Sequence, residues 1–331
     1  MHLRSGQYLY LLVFLLVSIN SPSLNNQSTQ WGFYGHQLIN RLAIFTLPPE
    51  MIVFYKKHLP YLAEHAVDPD KRRYAIKEEA PRHFIDLDYY GDSATYRLAK
   101  PWPEIVLVYP EDTLLQHGIV PWHIQLMKFQ LTSAFTEKNL GRILKISAEI
   151  GHYIADANVP LHTTSNYNGQ KTNQIGIHGF WESRLPELFA HQYDFFVGKA
   201  RYIPHTQSRI WQNIRTANRC LDSVFIFEKA LHQQTPLGQK YSIDERNNIN
   251  VKSYSVGYAT QYHTLLNNQV ERQMRNAVKM VGDFWFTCWV DAGQPDLNTL
   301  GSQPLLDSIK KGEDIEQKNW LLRIFQARDE N

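Results

Sequence analysis

Several things are scarce in this chain of 331 residues, and each scarcity excludes something. Cysteine is nearly absent, with Cys220 and Cys288 alone. Two cysteines cannot make a disulfide framework. One bridge or two free thiols remain open, and neither residue sits in a metal-ligand pattern. Net charge of one sign is also missing: 34 basic against 32 acidic residues leaves +2. No strong overall field for nucleic acid or an anionic membrane follows, although a local groove could be basic. Strict two-residue alternation is rare, which argues against an extensive sheet. No internal repeat or low-complexity tract is visible.

What is present begins at the N-terminus. Arg4 precedes the apolar run Tyr8 to Ile19, and the polar stretch NSPSLNNQSTQ follows. About 12 apolar residues fall short of the roughly 20 that a membrane span needs, and the pattern matches a secretory signal peptide. Residues 1–30 are therefore read as signal peptide and polar leader. Export to periplasm or medium is the expectation, with an uncleaved anchor as the alternative. No cysteine follows the run, so a lipoprotein is not expected.

Beyond residue 30 the periodicity is helical. Leu140, Ile143, Leu144, Ser147, Ile150, Gly151 and Ile154 share one stripe. Tyr262, Leu266, Val270, Met274, Ala277, Val281 and Phe284 form a longer one, predicting a helix from about Ser253 to Asp291. Its Trp285 and Trp289 read as core packing. Pro48 and Pro49 suit a helix start. Breakers cluster at Asp68 to Asp70, Pro101 to Pro110, Asn166 to Gly176 and Gly293 to Pro304. The expected fold is all-α: one mainly helical domain over 31–295, then a polar tail over 296–331.

Two segments carry metal chemistry. In GHYIADANVPLH, His152 and Asp156 stand four apart, which places them on one helix face. Pro160 then ends the helix and His162 follows. In GIHGFWES, His178 and Glu182 repeat the spacing. Such pairs are weak evidence alone. Fourteen histidines and 32 carboxylates in 331 residues give about 1.4 of them by chance, and histidines satisfied in core or surface are the plainer explanation of either pair alone. The full order carries more: His36, Asp68, His83, His152, Asp156, His162, His178, Glu182.

That order, with WGFYGH from Trp31, RHFID in the middle, HYIADANVPLH and HGFWE, resembles the zinc-dependent phospholipase C and P1/S1 nuclease superfamily over about Trp31 to Glu182. The resemblance implies a mainly helical fold and three zinc ions. Asp68, His83, His152 and Asp156 would hold one, and His162, His178 and Glu182 a second. His36, a bridging Asp156 and the amino nitrogen and carbonyl of Trp31 would hold the third. Zinc accepts imidazole nitrogen and carboxylate oxygen, and paired zincs bring a shared water to a pKa near 7. Its hydroxide would attack phosphorus. Asp68 is the candidate to orient or deprotonate it. The nucleases have an arginine three residues after this Asp. Lys71 stands there, beside Arg72 and Arg73, a trio that also reads as a solvated basic turn. Phe84 and Asp86 match positions that stack on and hydrogen-bond a base in the nucleases. A core role for Phe84 is the plain alternative. His58, His65, His117, His123, His191, His205, His232 and His263 match no ligand position, although His65 and His123 could line the cleft.

Glutamate at 182 tilts the resemblance toward the phospholipases, since the fungal nucleases have aspartate. Gln30 precedes Trp31, whereas Ser21 and Ser23 fit a cleavage site better and would leave seven residues ahead of Trp31. The third zinc therefore has less support than the other two. The expected activity is hydrolysis of a phosphodiester, phospholipase C-like first and P1/S1 nuclease-like on single-stranded nucleic acid second. An exported metal-binding protein without catalysis is the non-enzyme alternative. No protein partner is implied, and a monomer is expected.

Overall fold

The computed structural model describes residues 32–73, 75–246 and 249–300. The leader, Trp31 and most of the tail lie outside them. The chain opens with α1 (Gly32–Ala43), α2 (Pro49–Lys57), α3 (Leu59–Glu64) and α4 (Asp68–Arg73). Four short helices follow, α5 (Leu87–Tyr90), α6 (Ala94–Arg97), α7 (Trp102–Ile105) and α8 (Glu111–Gln116). Then come α9 (Val120–Thr136), α10 (Leu140–Asp156), α11 (Ile177–Gly179), α12 (Leu185–Phe189), α13 (Thr206–Asn218) and α14 (Leu221–Gln234). A hairpin of β1 (Tyr241–Arg246) and β2 (Ile249–Tyr254) leads to α15 (Val256–Leu265) and α16 (Gln269–Asp291). The two strands pair antiparallel, Tyr241 opposite Tyr254. The all-α reading holds, with this hairpin as its exception. Among the described residues no helix is long and apolar enough to cross a membrane.

Local chemistry explains the boundaries. Pro49 occupies the first turn of α2, where its missing N–H costs nothing. Lys56 and Lys57 complement the helix dipole at its other end. The Asn139 side chain accepts the Arg142 N–H at 3.1 Å and caps α10. The single long helix expected from Ser253 to Asp291 is two helices instead. Asn267 and Asn268 both take positive φ, 47° and 59°, which asparagine tolerates better than most residues. Asn166 to Gly176 forms a turn-rich loop, as its breakers suggest. Asn166 Oδ1 accepts the Lys171 N–H at 2.7 Å, and Asn168 Oδ1 accepts the Gly176 N–H at 2.9 Å.

Helices α1, α9, α10 and α16 pack together as the centre of the fold. In α10 every residue but Arg142 and Lys145 is buried, as expected of a helix surrounded by others. Trp285 of α16 is fully buried and stacks on Tyr55 at 4.8 Å. Its indole N–H donates to Ser147 O at 3.0 Å. Burying about 200 Å² of such a ring contributes about 5 kcal/mol.

One close approach positions the site. A Cβ on Gly151 of α10 would stand 1.9 Å from Asn40 Oδ1 of α1, so only glycine fits. The Asn40 amide donates to Leu62 O at 3.1 Å and Ala148 O at 3.0 Å, locking α1 against α10. His36 lies about one turn before Asn40 and His152 directly follows Gly151. Their rings stack at 4.0 Å.

Candidate metal centre

Six segments converge on one buried cluster. His36 comes from α1, Asp70 from α4, and His152 with Asp156 from the end of α10. His83 follows the 3-10 turn Ala80–Arg82, and His162 lies in the turn Pro160–Thr163. His178 is on α11, which widens into the π-helical turn Phe180–Arg184 carrying Glu182. Such π turns recur at functional sites.

The donor atoms form overlapping groups. Asp156 Oδ2 lies 2.9 Å from His83 Nδ1 and 3.2 Å from His152 Nε2. Asp70 Oδ1 completes this group, 3.7 Å from His152 Nε2 and 3.9 Å from His83 Nδ1. Glu182 Oε2 lies 2.6 Å from His178 Nε2 and 3.3 Å from His162 Nε2. His36 Nε2 sits between the two groups, 3.4 Å from both Asp156 Oδ1 and Glu182 Oε1. Each of these two carboxylates thus divides its oxygens between neighbouring groups.

Hydrogen bonds on the far side of the rings aim the nitrogens. His152 Nδ1 meets Ala66 O at 2.9 Å, His162 Nδ1 meets His83 O at 2.7 Å, and His178 Nδ1 meets Tyr167 O at 3.2 Å. A carbonyl only accepts, so Nδ1 is the protonated nitrogen and the Nε2 lone pair faces the cluster. The lone pair of His152 then points at His83 Nδ1, 3.1 Å away. Burial opposes charge on Asp156, but the neighbouring His152, His162 and His83 outweigh it. They hold its carboxyl well below the usual range. Burial likewise opposes charge on Glu182, and His162, His178 and His36 hold its carboxyl well below the usual range too. Burial works against a charged His36 too, yet Glu182, Asp156 and Asp70 raise its pKa. The anionic Asp156 and Glu182, with Asp70 beside them and imidazole nitrogens converging on them, call for cations. The donor set, nitrogen and carboxylate oxygen without thiolate, suits zinc.

The sequence expectations fare unequally. His36, His83, His152, Asp156, His162, His178 and Glu182 are brought together. Asp68 is not grouped with His83, His152 and Asp156; Asp70 is the acid of this turn that reaches the cluster, grouped with His36 and His152 and 3.9 Å from His83 Nδ1. The reason is helical geometry: residues two apart do not share a face. Asp68 turns instead to His65 Nδ1 at 2.6 Å and Lys71 Nζ at 3.0 Å. Against the cost of burial, those partners hold its carboxyl below the usual range. Lys71 accordingly points at Asp68. Arg72 and Arg73 are buried rather than forming a solvated turn. Phe84 is 4% exposed, a packed ring rather than an open stacking face. Asp86 is buried, its Oδ2 3.5 Å from His117 Nδ1. His123 is buried edge-on to Tyr153, and burial pushes its pKa down to about 3. Cys220 and Cys288 are free thiols. Trp31 lies outside the described residues.

The family profile described as zinc dependent phospholipase C matches residues 35–233, more than half of the chain and every grouped donor. The chain belongs to the zinc-dependent phospholipase C family. It is a zinc-dependent phosphoric ester hydrolase with the helical fold of that family. No match was found among curated proteins. For this phospholipase C family member, sequence reasoning missed Asp70, although the DPD of Asp68 to Asp70 offered two carboxylates at one helix start. It also missed that Glu182, like Asp156, faces two donor groups.

Proposed function

We propose that this family member hydrolyses the phosphodiester bond of a phospholipid head group at the cluster of His36, Asp70, His83, His152, Asp156, His162, His178 and Glu182. The observation that carries this reading is the divided contact of Asp156 and Glu182, each placing one oxygen on His36 and the other on a separate histidine pair. Bridging carboxylates of this kind suit adjacent cations. When bound, zinc supplies a nucleophile at neutral pH and a Lewis acid for the phosphoryl oxygens. The chain's own residues do the rest. Asp70 is a cluster ligand placed to orient the attacking water. Arg73 stands three residues after Asp70, is buried, and has Nη1 3.8 Å from Asp70 Oδ1. It takes the charge-stabilising role first read onto Lys71, with the bidentate fork that lysine lacks. Gly32 lies against Glu182, its Cβ position 3.7 Å from Oε1. The part given to Trp31 rests on the family resemblance.

The phospholipid reading draws on the family description, on Glu182 where the fungal nucleases carry aspartate, and on the buried Phe84, which offers no open platform for a base. The near-neutral chain adds no field for nucleic acid. Export, with removal of a signal peptide, is part of the proposal and rests on the N-terminal pattern. The test is hydrolysis by the zinc-loaded chain of phosphatidylcholine against single-stranded DNA and RNA. Release of phosphocholine with neither nucleic acid cut supports the reading, while cleavage of nucleic acid alone overturns it. The N-terminal residue of the exported protein checks the rest.

A further inference from the structure

Behind the cluster lies a second set of buried charges that no ligand role uses. Glu79 is fully buried and stands four residues before His83, across the turn Ala80–Arg82. Its Oε2 accepts from Arg82 Nη1 at 2.7 Å and Arg72 Nε at 3.3 Å, and its Oε1 accepts from the Tyr153 hydroxyl. Arg72 is held in turn by Tyr153 at 3.3 Å and by Glu149. Arg72 and Arg82 thus set two guanidinium groups against one buried carboxylate. Such an assembly is costly to bury and is weak evidence for stability, so its orientation deserves a reason.

His83 supplies one. Its ring presents Nδ1 to the cluster, 2.9 Å from Asp156 Oδ2 and 3.1 Å from His152 Nε2. That is the reverse of His152, His162 and His178, which present Nε2. With the Nδ1 lone pair given to a cation, the neutral ring carries its proton on Nε2. This Nε2 is buried, has no hydrogen-bond partner, and lies 3.7 Å from Glu79 Oε1. A metal-ligating histidine commonly gives its other N–H to a carboxylate, which fixes the tautomer and raises ligand basicity.

We propose that Glu79 is a positioning residue of the metal centre, accepting the Nε2–H of His83 and so aiming Nδ1 at the site shared with Asp70, His152 and Asp156. Arg72, Arg82 and Tyr153 hold the Glu79 carboxylate in place. The inference rests on the proposed cluster, and its test separates the two. In the zinc-loaded chain, nitrogen NMR of labelled histidine should find His83, assigned by its loss in His83→Ala, protonated at Nε2. His152, His162 and His178 should be protonated at Nδ1. Zinc titration of Glu79→Gln should show on the order of tenfold weaker binding at one site and unchanged binding at the others. Glu79→Asp should recover part of the loss. A His83 protonated at Nδ1 overturns the proposal, and that measurement needs no variant of Glu79 to fold. Zinc constants in Glu79→Gln that all match the parent, or all fall together, overturn it while the cluster stands. No zinc bound by the parent chain overturns both.

Discussion

Exchanging the two acids of the DPD turn gives the sharpest contrast. Asp70 Oδ1 lies 3.7 Å and 3.9 Å from the nitrogens of His152 and His83, so a cation held by those nitrogens sits within about 4 Å of it. A unit charge pair at 4 Å is worth about 4 kcal/mol at an effective dielectric of about 20. Asp70→Asn removes that charge while keeping the shape, and zinc affinity at this site should fall about a thousandfold. Asp68 spends its charge on His65 and on Lys71, whose side chain is 38% exposed. A pair that open to solvent is worth at most about 1 kcal/mol. Asp68→Asn should therefore cost little stability and change zinc affinity less than about tenfold. Competition against a chromophoric chelator measures both variants, with phosphodiester hydrolysis as a second readout. Lost zinc in Asp68→Asn with parental affinity in Asp70→Asn would refute the placement of α4 and restore the sequence assignment.

Further outcomes are open to direct measurement. Gly151→Ala drives a methyl into Asn40, and overpacking at this junction of α1 and α10 should cost about 1–3 kcal/mol in denaturant unfolding. Unchanged stability would mean that the two helices are not locked there. Glu228 is buried, and although burial opposes its charge, Lys240, Gln174 and Tyr258 hold its carboxyl below the ordinary value of 4.5. Its stabilisation is complete above that value and is lost as pH falls through the lower folded pKa. Glu228→Gln should thus lose less stability than the parent when urea unfolding is compared at pH 6 and pH 3. Cys220 is partly exposed, whereas Cys288 is buried with its thiol pushed up to about 12. One thiol should react with a disulfide reagent in the native protein and the second only after unfolding. Two unreactive thiols would indicate a bridge.

How much of this was legible in the sequence depends on the kind of signal. The stripe from Leu140 to Ile154 became α10 because its period, its Asn139 cap and the later Pro160 all agree. The His152–Asp156 and His178–Glu182 pairs met because a helix brings residues four apart together. The break at Asn267 and Asn268 was hidden, since an apolar stripe runs through it and the turn depends on backbone conformation. Asp70 was hidden for a different reason. Which of two acids faces inward is decided by where α4 starts, and His65 and Lys71 draw Asp68 the other way. Glu79 has a spacing signal, four before His83, but Glu187 with His191 and Glu228 with His232 share it. Only burial of both partners separates the first from the others, since His191 and His232 are exposed, and burial of a charge depends on partners as distant as Glu149 and Tyr153.

Metal content tests the central claim most directly. Elemental analysis of the purified, active chain should find at least two zinc ions per molecule, rising to three where Trp31 is the first residue. A chelator should remove zinc and phosphodiester hydrolysis together, and added zinc should restore both. Full hydrolysis by a chain holding less than one zinc per molecule would contradict the account.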